Sequence, residues 1–195
     1  SVISHLMARH LVIIPARNEE LSIARTLDAV LAQDHPADRL EIIVVDDAST
    51  DRTVSIVDDY CRRYPSISRI SLPDDMLNRP SRKRGRKPEA IAAGIARSRY
   101  EVIVTTDADC ISPPSWIRTI TSLLNDDVVY AVGPVLEQQG TGLFTKFRAL
   151  EVLGLVGITG GRISIDRPVN GHGGNTAFFR RVYDQTGRFD FTAIK

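Results

Sequence analysis

The sequence predicts a doubly wound α/β fold, a mostly parallel, Rossmann-like sheet flanked by helices. Three observations predict it. Short apolar runs recur along the chain: Leu11-Val12-Ile13-Ile14, Ile42-Ile43-Val44-Val45 and Val102-Ile103-Val104. They are unbroken rather than alternating, which suits strands covered on both faces. Stretches of helical spacing separate them, and alternation of strand and helix implies a parallel sheet. The 195 residues, 43% hydrophobic and 25% charged, suffice for one domain with a real core.

Residues 1–10 show no clear period and read as a leader before the fold. The first strand is Leu11–Ile14, closed by Pro15. Asn18 reads as an N-cap, with Glu19 and Glu20 favouring the positive end of a helix. Leu21, Ala24, Leu27, Val30 and Leu31 follow at helical spacing, then residues 33–39 read as a loop around His35-Pro36. Ile42–Val45 is the second strand, and Ser49 or Thr50 caps a helix carrying Val54, Val57, Tyr60, Cys61 and Tyr64. A third strand spans Ile67–Leu72. A polar, basic loop from Pro73 to Arg86 leads into a helix over about Pro88–Arg97. Glu101–Thr106 is the fourth strand. Pro113 and Pro114 suit the first turn of a helix, which carries Trp116, Ile117, Ile120, Leu123 and Leu124. Val128–Leu136 is a further strand. From Gly140 glycines become frequent, and Leu143–Ile158 is a soft apolar stretch in a less regular half.

In open α/β sheets ligands bind outside the carboxyl ends of the strands. Three such ends carry polar clusters: Pro15-Ala16-Arg17-Asn18-Glu19, Asp46-Asp47 and Asp107-Ala108-Asp109. Taken singly, each has an ordinary reading as a helix cap or an acidic turn. At equivalent ends of neighbouring parallel strands they converge on one crevice. Asp107 and Asp109, two residues apart, can reach one divalent cation. A hard ion such as Mg²⁺ or Mn²⁺ prefers oxygen ligands and often shares a substrate phosphate.

These blocks resemble the family 2 inverting glycosyltransferases of GT-A fold. The resemblance rests on Ile13-Ile14-Pro15-Ala16-Arg17-Asn18-Glu19-Glu20, on Val44-Val45-Asp46-Asp47-Ala48-Ser49-Thr50-Asp51 and on the Asp-x-Asp motif Thr106-Asp107-Ala108-Asp109. Lys87-Pro88-Glu89-Ala90-Ile91-Ala92-Ala93-Gly94 is similar to the family's intervening block, with Ile91 and Ala92 in place of its usual Leu and Asn. It implies a nucleotide-binding half over about 11–110 and an acceptor-side half over about 111–195, incomplete at its C-terminal end. Pro15, Arg17 and Glu19 would face the nucleotide. Asp47 would accept from the base, usually uracil, and Lys87 would lie near the nucleotide or its phosphates. Asp107 would sit by ribose and metal, and Asp109 would ligate the metal directly. Gly174 and Asn175, within Gly171–Arg181, would lie near donor sugar and acceptor, where the residues alone also allow a tight turn before a strand. His172 reads as a turn residue rather than a ligand.

The implied reaction is metal-dependent inverting transfer from a nucleotide-diphosphate sugar, UDP-sugar by default, to an acceptor hydroxyl on a glycan, lipid-linked sugar or small molecule. Cell-envelope or polysaccharide synthesis is the implied setting. Gly187-Arg188-Phe189-Asp190 resembles the segment that precedes the family's catalytic base, so the base is expected beyond Lys195 and these 195 residues should bind donor better than they transfer sugar. A non-catalytic donor-binding module is one rival. A nucleotidyltransferase is another, but Pro15-Ala16-Arg17-Asn18 lacks the glycine-rich loop it needs.

The net charge of +1 gives no global field for nucleic acid. The basic run Arg79, Arg82, Lys83, Arg84, Arg86, Lys87 has no interleaved aromatics for stacking bases. Apart from Lys87 it reads mostly as a solvated loop. Cys61 and Cys110 form no disulfide framework, which favours a reducing, cytoplasmic setting. No run reaches the roughly 18 apolar residues of a membrane span. Leu143–Ile158 is read as packing on the sheet, with peripheral membrane contact at the inner face as the alternative.

Overall fold

A computed structural model describes residues 8–72, 86–136, 142, 147, 150, 152–158, 161 and 174–186. In chain order the elements are β1 (His10–Ala16), α1 (Ile23–Leu31), a 3₁₀ turn (Ala37–Arg39), β2 (Leu40–Asp46), α2 (Thr53–Arg63), β3 (Ile67–Ser71), α3 (Lys87–Arg97), β4 (Val102–Thr106), α4 (Trp116–Thr121), β5 (Tyr130–Val132), β6 (Asn175–Phe179) and α5 (Arg180–Gln185). The sheet order is β3-β2-β1-β4-β6-β5. Strands β3, β2, β1 and β4 are parallel, and β6 runs antiparallel to both its neighbours.

Successive strand residues point to opposite faces, and both faces are covered. Val12, Ile14, Ile42, Val44, Val102 and Val104 pack with Leu27 of α1, Val57 of α2 and Ile117 of α4. Leu11, Ile13, Ile43, Val45 and Ile103 pack with Ala90, Ile91 and Ile95 of α3. This double burial is the reason for the unbroken apolar runs. α3 lies so close that a Cβ on Gly94 would meet the Ile13 side chain at 2.9 Å. Pro15 lies in β1 beyond the last rung of the ladder with β4, Ile13↔Thr105, while the ladder with β2 runs on through Pro15↔Val45 and Ala16↔Asp46.

Several boundaries differ from the sequence expectation. β1 begins at His10, whose side chain is buried. Asn18 does not cap a helix: it sits at φ 55°, and α1 starts at Ile23. Neither Ser49 nor Thr50 caps α2, which begins at Thr53. Pro113 and Pro114 precede α4 rather than forming its first turn. The strand expected over Val128–Leu136 shortens to Tyr130–Val132. Within Leu143–Ile158, residues 152–158 are helical, with Leu153, Leu155 and Ile158 exposed. His172, the basic residues 79–84 and the segment 187–190 lie outside the described residues.

Beneath the start of β1, His10 Nδ1 and His35 Nε2 lie 3.0 Å apart with their rings edge to face, both buried. One such bond needs a donor and an acceptor, so the pair cannot carry two full charges. Burial is the main cause holding His35 below its ordinary value of 6.5. Above that pH the ring is neutral folded or unfolded, and its contribution to stability is complete. As pH falls below it the unfolded chain gains a proton that the fold resists, so stability drops. The melting temperature should therefore fall between about pH 7 and pH 5, and His35→Gln should flatten that slope.

Candidate active site

The crevice forms where β2, β1 and β4 end side by side. The loops after β1 and β2 are fastened to each other. Asn18 N donates to Ser49 Oγ (3.0 Å), and Thr50 N donates to Asn18 Oδ1 (2.7 Å). Glu19 N donates to Thr53 Oγ1 (2.7 Å), Glu20 N to Asp51 Oδ2 (3.1 Å) and Arg52 N to Glu20 Oε2 (3.0 Å). Backbone donors near the two helix starts are thus satisfied across the gap. The geometry requires left-handed turns at Asn18 and at Ala48, φ 55° and 54°. Asn adopts that region readily; for alanine it costs about 1–2 kcal/mol.

Asp46 turns into its own loop, accepting from Ser49 N at 3.3 Å. Asp47 faces the crevice. Arg86, at the start of α3, donates to Asp47 Oδ1 through Nε (2.6 Å) and through Nη2. Arg17 Nη1 stands 3.7 Å from Asp47 Oδ2. Lys87 pairs with Asp107 Oδ1.

After β4 the chain makes a tight turn. Ala108 is buried among core residues, and its carbonyl accepts from Thr26 Oγ1 of α1 (2.8 Å). With the middle residue anchored inward, the carboxylates of Asp107 and Asp109 are left at the surface of the turn. Cys110 joins them: one donor atom from each of the three lies within 4.8 Å of the others. Burial, then the Asp107 and Asp109 charges, push the Cys110 thiol up to about 11. A protonated thiol is a poor partner for a hard cation, so the oxygens of Asp107 and Asp109 are the fitting ligands.

Two cavities meet at this turn. The smaller, about 240 Å³, is lined by Pro15, Arg17, Glu19, Asp47, Arg86, Lys87, Asp107 and Asp109 among others. The larger, about 790 Å³, is lined by Asp107, Asp109, Cys110, Trp116, Gly174 and Asn175, with apolar Ile111, Val135 and Leu136 in its wall. Pro15, Arg17, Glu19, Asp47, Lys87, Gly174 and Asn175 each line one of the two, and Asp107 and Asp109 line both, whereas Asn18 and Asp46 line neither. Gly174 packs directly on Asp107, so a Cβ there would overlap the carboxylate. Asn175 accepts from Trp116 Nε1 (2.8 Å) and donates to Pro134 O (2.8 Å), tying β6 to α4 and to the chain after β5.

Sequence reasoning missed Arg86, Cys110 and Trp116. The sequence places Arg86 in a basic run that reads as a solvated loop, yet it is 7% exposed. Its one signal was its place beside Lys87 at a helix start. Arg180, the first of two arginines in the Gly171–Arg181 block, serves the scaffold: its guanidinium donates to the carbonyls of Ile95, Ser98 and Tyr100, each at 2.9 Å, around the C-terminal end of α3.

Comparison with known proteins agrees with this architecture. The Bacillus subtilis (strain 168) protein "Probable glycosyltransferase YdaM" is 33% identical over 190 residues, covering 94% of this chain and 43% of that protein. The mannosyltransferase PcManGT from Pyrobaculum calidifontis, solved in complex with GDP-Man and Mn²⁺, superposes with a TM-score of 0.67 at 28% identity, over 92% of this chain and 47% of the other. Glucosyl-3-phosphoglycerate synthase from Mycobacterium tuberculosis shares the fold, with a TM-score of 0.61 at 19% identity over 93% of this chain and 62% of that one. The chain thus spans less than half the length of the first two. These likenesses identify the mostly parallel, helix-flanked sheet as a GT-A fold. The family model for glycosyl transferase family 2 matches residues 11–187, and the chain belongs to that family of enzymes.

Proposed function

We propose that the chain is the donor-binding part of an inverting transferase that moves a sugar from a nucleotide-diphosphate sugar to an acceptor hydroxyl. The observation that carries this reading is the carboxylate pair Asp107 and Asp109 on the wall common to two cavities. In a sugar–diphosphate donor the scissile bond lies between a nucleotide and a sugar, so a junction between two cavities is where it belongs.

The smaller cavity takes the nucleotide. Asp47 accepts the N–H of the base, Pro15, Arg17 and Glu19 bound the nucleotide, and Lys87 and Asp107 face ribose and phosphates. Asp109, with Asp107, would hold Mg²⁺ or Mn²⁺, which supplies a Lewis acid that stabilises charge on the departing diphosphate. The larger cavity receives donor sugar and acceptor, with Gly174 and Asn175 on its wall. Inversion needs no covalent intermediate, and a base must take the proton of the attacking hydroxyl.

UDP-sugar is the first choice of donor, and the acceptor is a glycan, a lipid-linked sugar or a small molecule. The mannosyltransferase complex with GDP-Man and Mn²⁺ supports a metal and favours GDP as the second choice. Among the described residues no helix is long and apolar enough to cross a membrane. We assign the activity to cell-envelope or polysaccharide synthesis in the cytoplasm at the inner membrane face, with Leu153, Leu155 and Ile158 available for peripheral contact.

Calorimetric titration of UDP and GDP, with and without Mn²⁺, tests the reading. Asp47→Ala and Asp109→Ala should each weaken binding by about 100-fold, and Asp109→Ala should also remove its dependence on Mn²⁺. Binding that ignores the metal, or survives both changes, sinks the proposal.

A further inference from the structure

The side-chain amide of Asn175 is held at both ends by the protein itself. Its Oδ1 accepts from Trp116 Nε1 and its Nδ2 donates to the Pro134 carbonyl, both at 2.8 Å. A Cβ on Gly133 would stand 2.3 Å from Asn175 Nδ2, and Gly133 N donates to the Asn175 carbonyl at 2.8 Å, so the end of β5 packs on this residue without slack. Trp116 holds the amide from a helix rather than from the sheet. Its indole N–H is its one donor, its ring is 7% exposed, and a buried indole N–H is normally given a partner. The helix that carries it is itself anchored: Ile117 N donates to Gln33 Oε1 at 3.0 Å, and Gln33 Nε2 donates to Pro113 O at 2.8 Å.

Thr106↔Asn175 is the last rung between β4 and β6. Beyond it the ladder has no hold on Gly174, yet Gly174 packs so tightly on Asp107 that a Cβ would stand 2.3 Å from Oδ2. Lys87 pairs with the other oxygen, Oδ1. The Asp107 carboxylate is therefore bounded by a lysine on one side and by the Gly174 backbone on the other. We infer that Trp116 is a positioning residue for the turn that carries Asp107 and Asp109: its indole N–H, acting through the Asn175 amide, keeps Gly174 against Asp107 and so fixes the direction of that carboxylate. The inference rests on the metal and nucleotide reading above and adds a residue that touches neither group. Partners one step removed from a metal ligand commonly change metal affinity by about 10–100-fold when lost.

The chain contains a single tryptophan, so replacing tryptophan biosynthetically with 3-benzothienylalanine alters position 116 alone. That side chain keeps the shape of indole and puts sulfur where the N–H stood. UDP and GDP are titrated calorimetrically into the unaltered and the benzothienyl chain, once with Mn²⁺ and once with EDTA. The benzothienyl chain should lose about 10-fold in affinity for whichever nucleotide binds with Mn²⁺, and keep its affinity in EDTA. By linkage, nucleotide should strengthen Mn²⁺ binding about 10-fold less than in the unaltered chain, which electron paramagnetic resonance of Mn²⁺ reads directly. Asn175→Ala should show the same pattern, and adding Trp116→Phe to it should cost nothing further. Thermal melting by circular dichroism checks that each variant folds, and the benzothienyl chain keeps the core volume if Trp116→Phe does not. Unchanged Mn²⁺-dependent affinity in the benzothienyl chain overturns the inference. So does an equal loss with Mn²⁺ and with EDTA, which would make the bond a support for the fold alone. Additive losses in the double variant would also overturn it, because Trp116 would then act without Asn175. Failure of the unaltered chain to bind either UDP or GDP would instead bring down the nucleotide reading itself.

Discussion

Gly174→Ala should weaken metal-dependent nucleotide binding by about 100-fold while leaving a folded domain. The residue is adjacent to the Asp107 carboxylate in space but distant in sequence. A methyl group there would overlap the Asp107 carboxylate, which already pairs with Lys87. On the other side Asn175 is held by Trp116 Nε1 and Pro134 O, so β6 cannot simply retreat. The carboxylate must give way, and with it the distance between Asp107 and Asp109. Overpacking of this kind costs about 1–3 kcal/mol of stability, which a core of this size tolerates. A titration of UDP and Mn²⁺, set beside a melting curve, checks both halves of the expectation. Unchanged binding would show that the Asp107 position is not needed for donor.

Arg180→Met should lower the melting temperature by roughly 6–12 °C, the equivalent of about 3 kcal/mol for a domain of this length. Its three charge-assisted bonds cap the carbonyls of Ile95 and Ser98 at the end of α3, together with Tyr100 just beyond. A cation at a helix C-terminus also meets the negative end of the dipole. Arg180→Lys keeps the charge, yet one ammonium cannot reach three diverging carbonyls, so it should recover under half of the loss. Thermal melts of the two variants decide this. Equal stability of wild type and Arg180→Met would mean that water replaces the guanidinium without penalty.

The parallel strands were legible because both faces are buried, which writes Ile42–Val45 and its counterparts as unbroken apolar runs. The crevice was legible for a topological reason: parallel neighbours β2, β1 and β4 must end on the same side, and each of those ends carried acid or base. Helix starts were not legible at Asn18, Ser49 and Thr50. Their polar atoms are typical caps by type, but here they bridge two loops far apart in sequence, and left-handed turns at Asn18 and Ala48 delay the helices. Local pattern carries no information about such a partner. Arg86 was hidden likewise, since nothing in a run of basic residues tells which one is buried. The place of β6 was hidden because adjacency in a sheet is not a property of adjacent sequence.

The reversed strand has a consequence for how such domains diversify. Because β6 runs against β4, with Thr106 opposite Asn175, Gly174 returns to the Asp107 carboxylate after the chain has passed through α4 and the edge strand β5. The path from Cys110 to Gly174 is thus one excursion that starts and ends beside Asp107. Lengthening such an excursion is cheap, about 0.6 kcal/mol for each doubling of a flexible loop. Loops within it can be rebuilt while its two ends, and the crevice beside them, stay where they are.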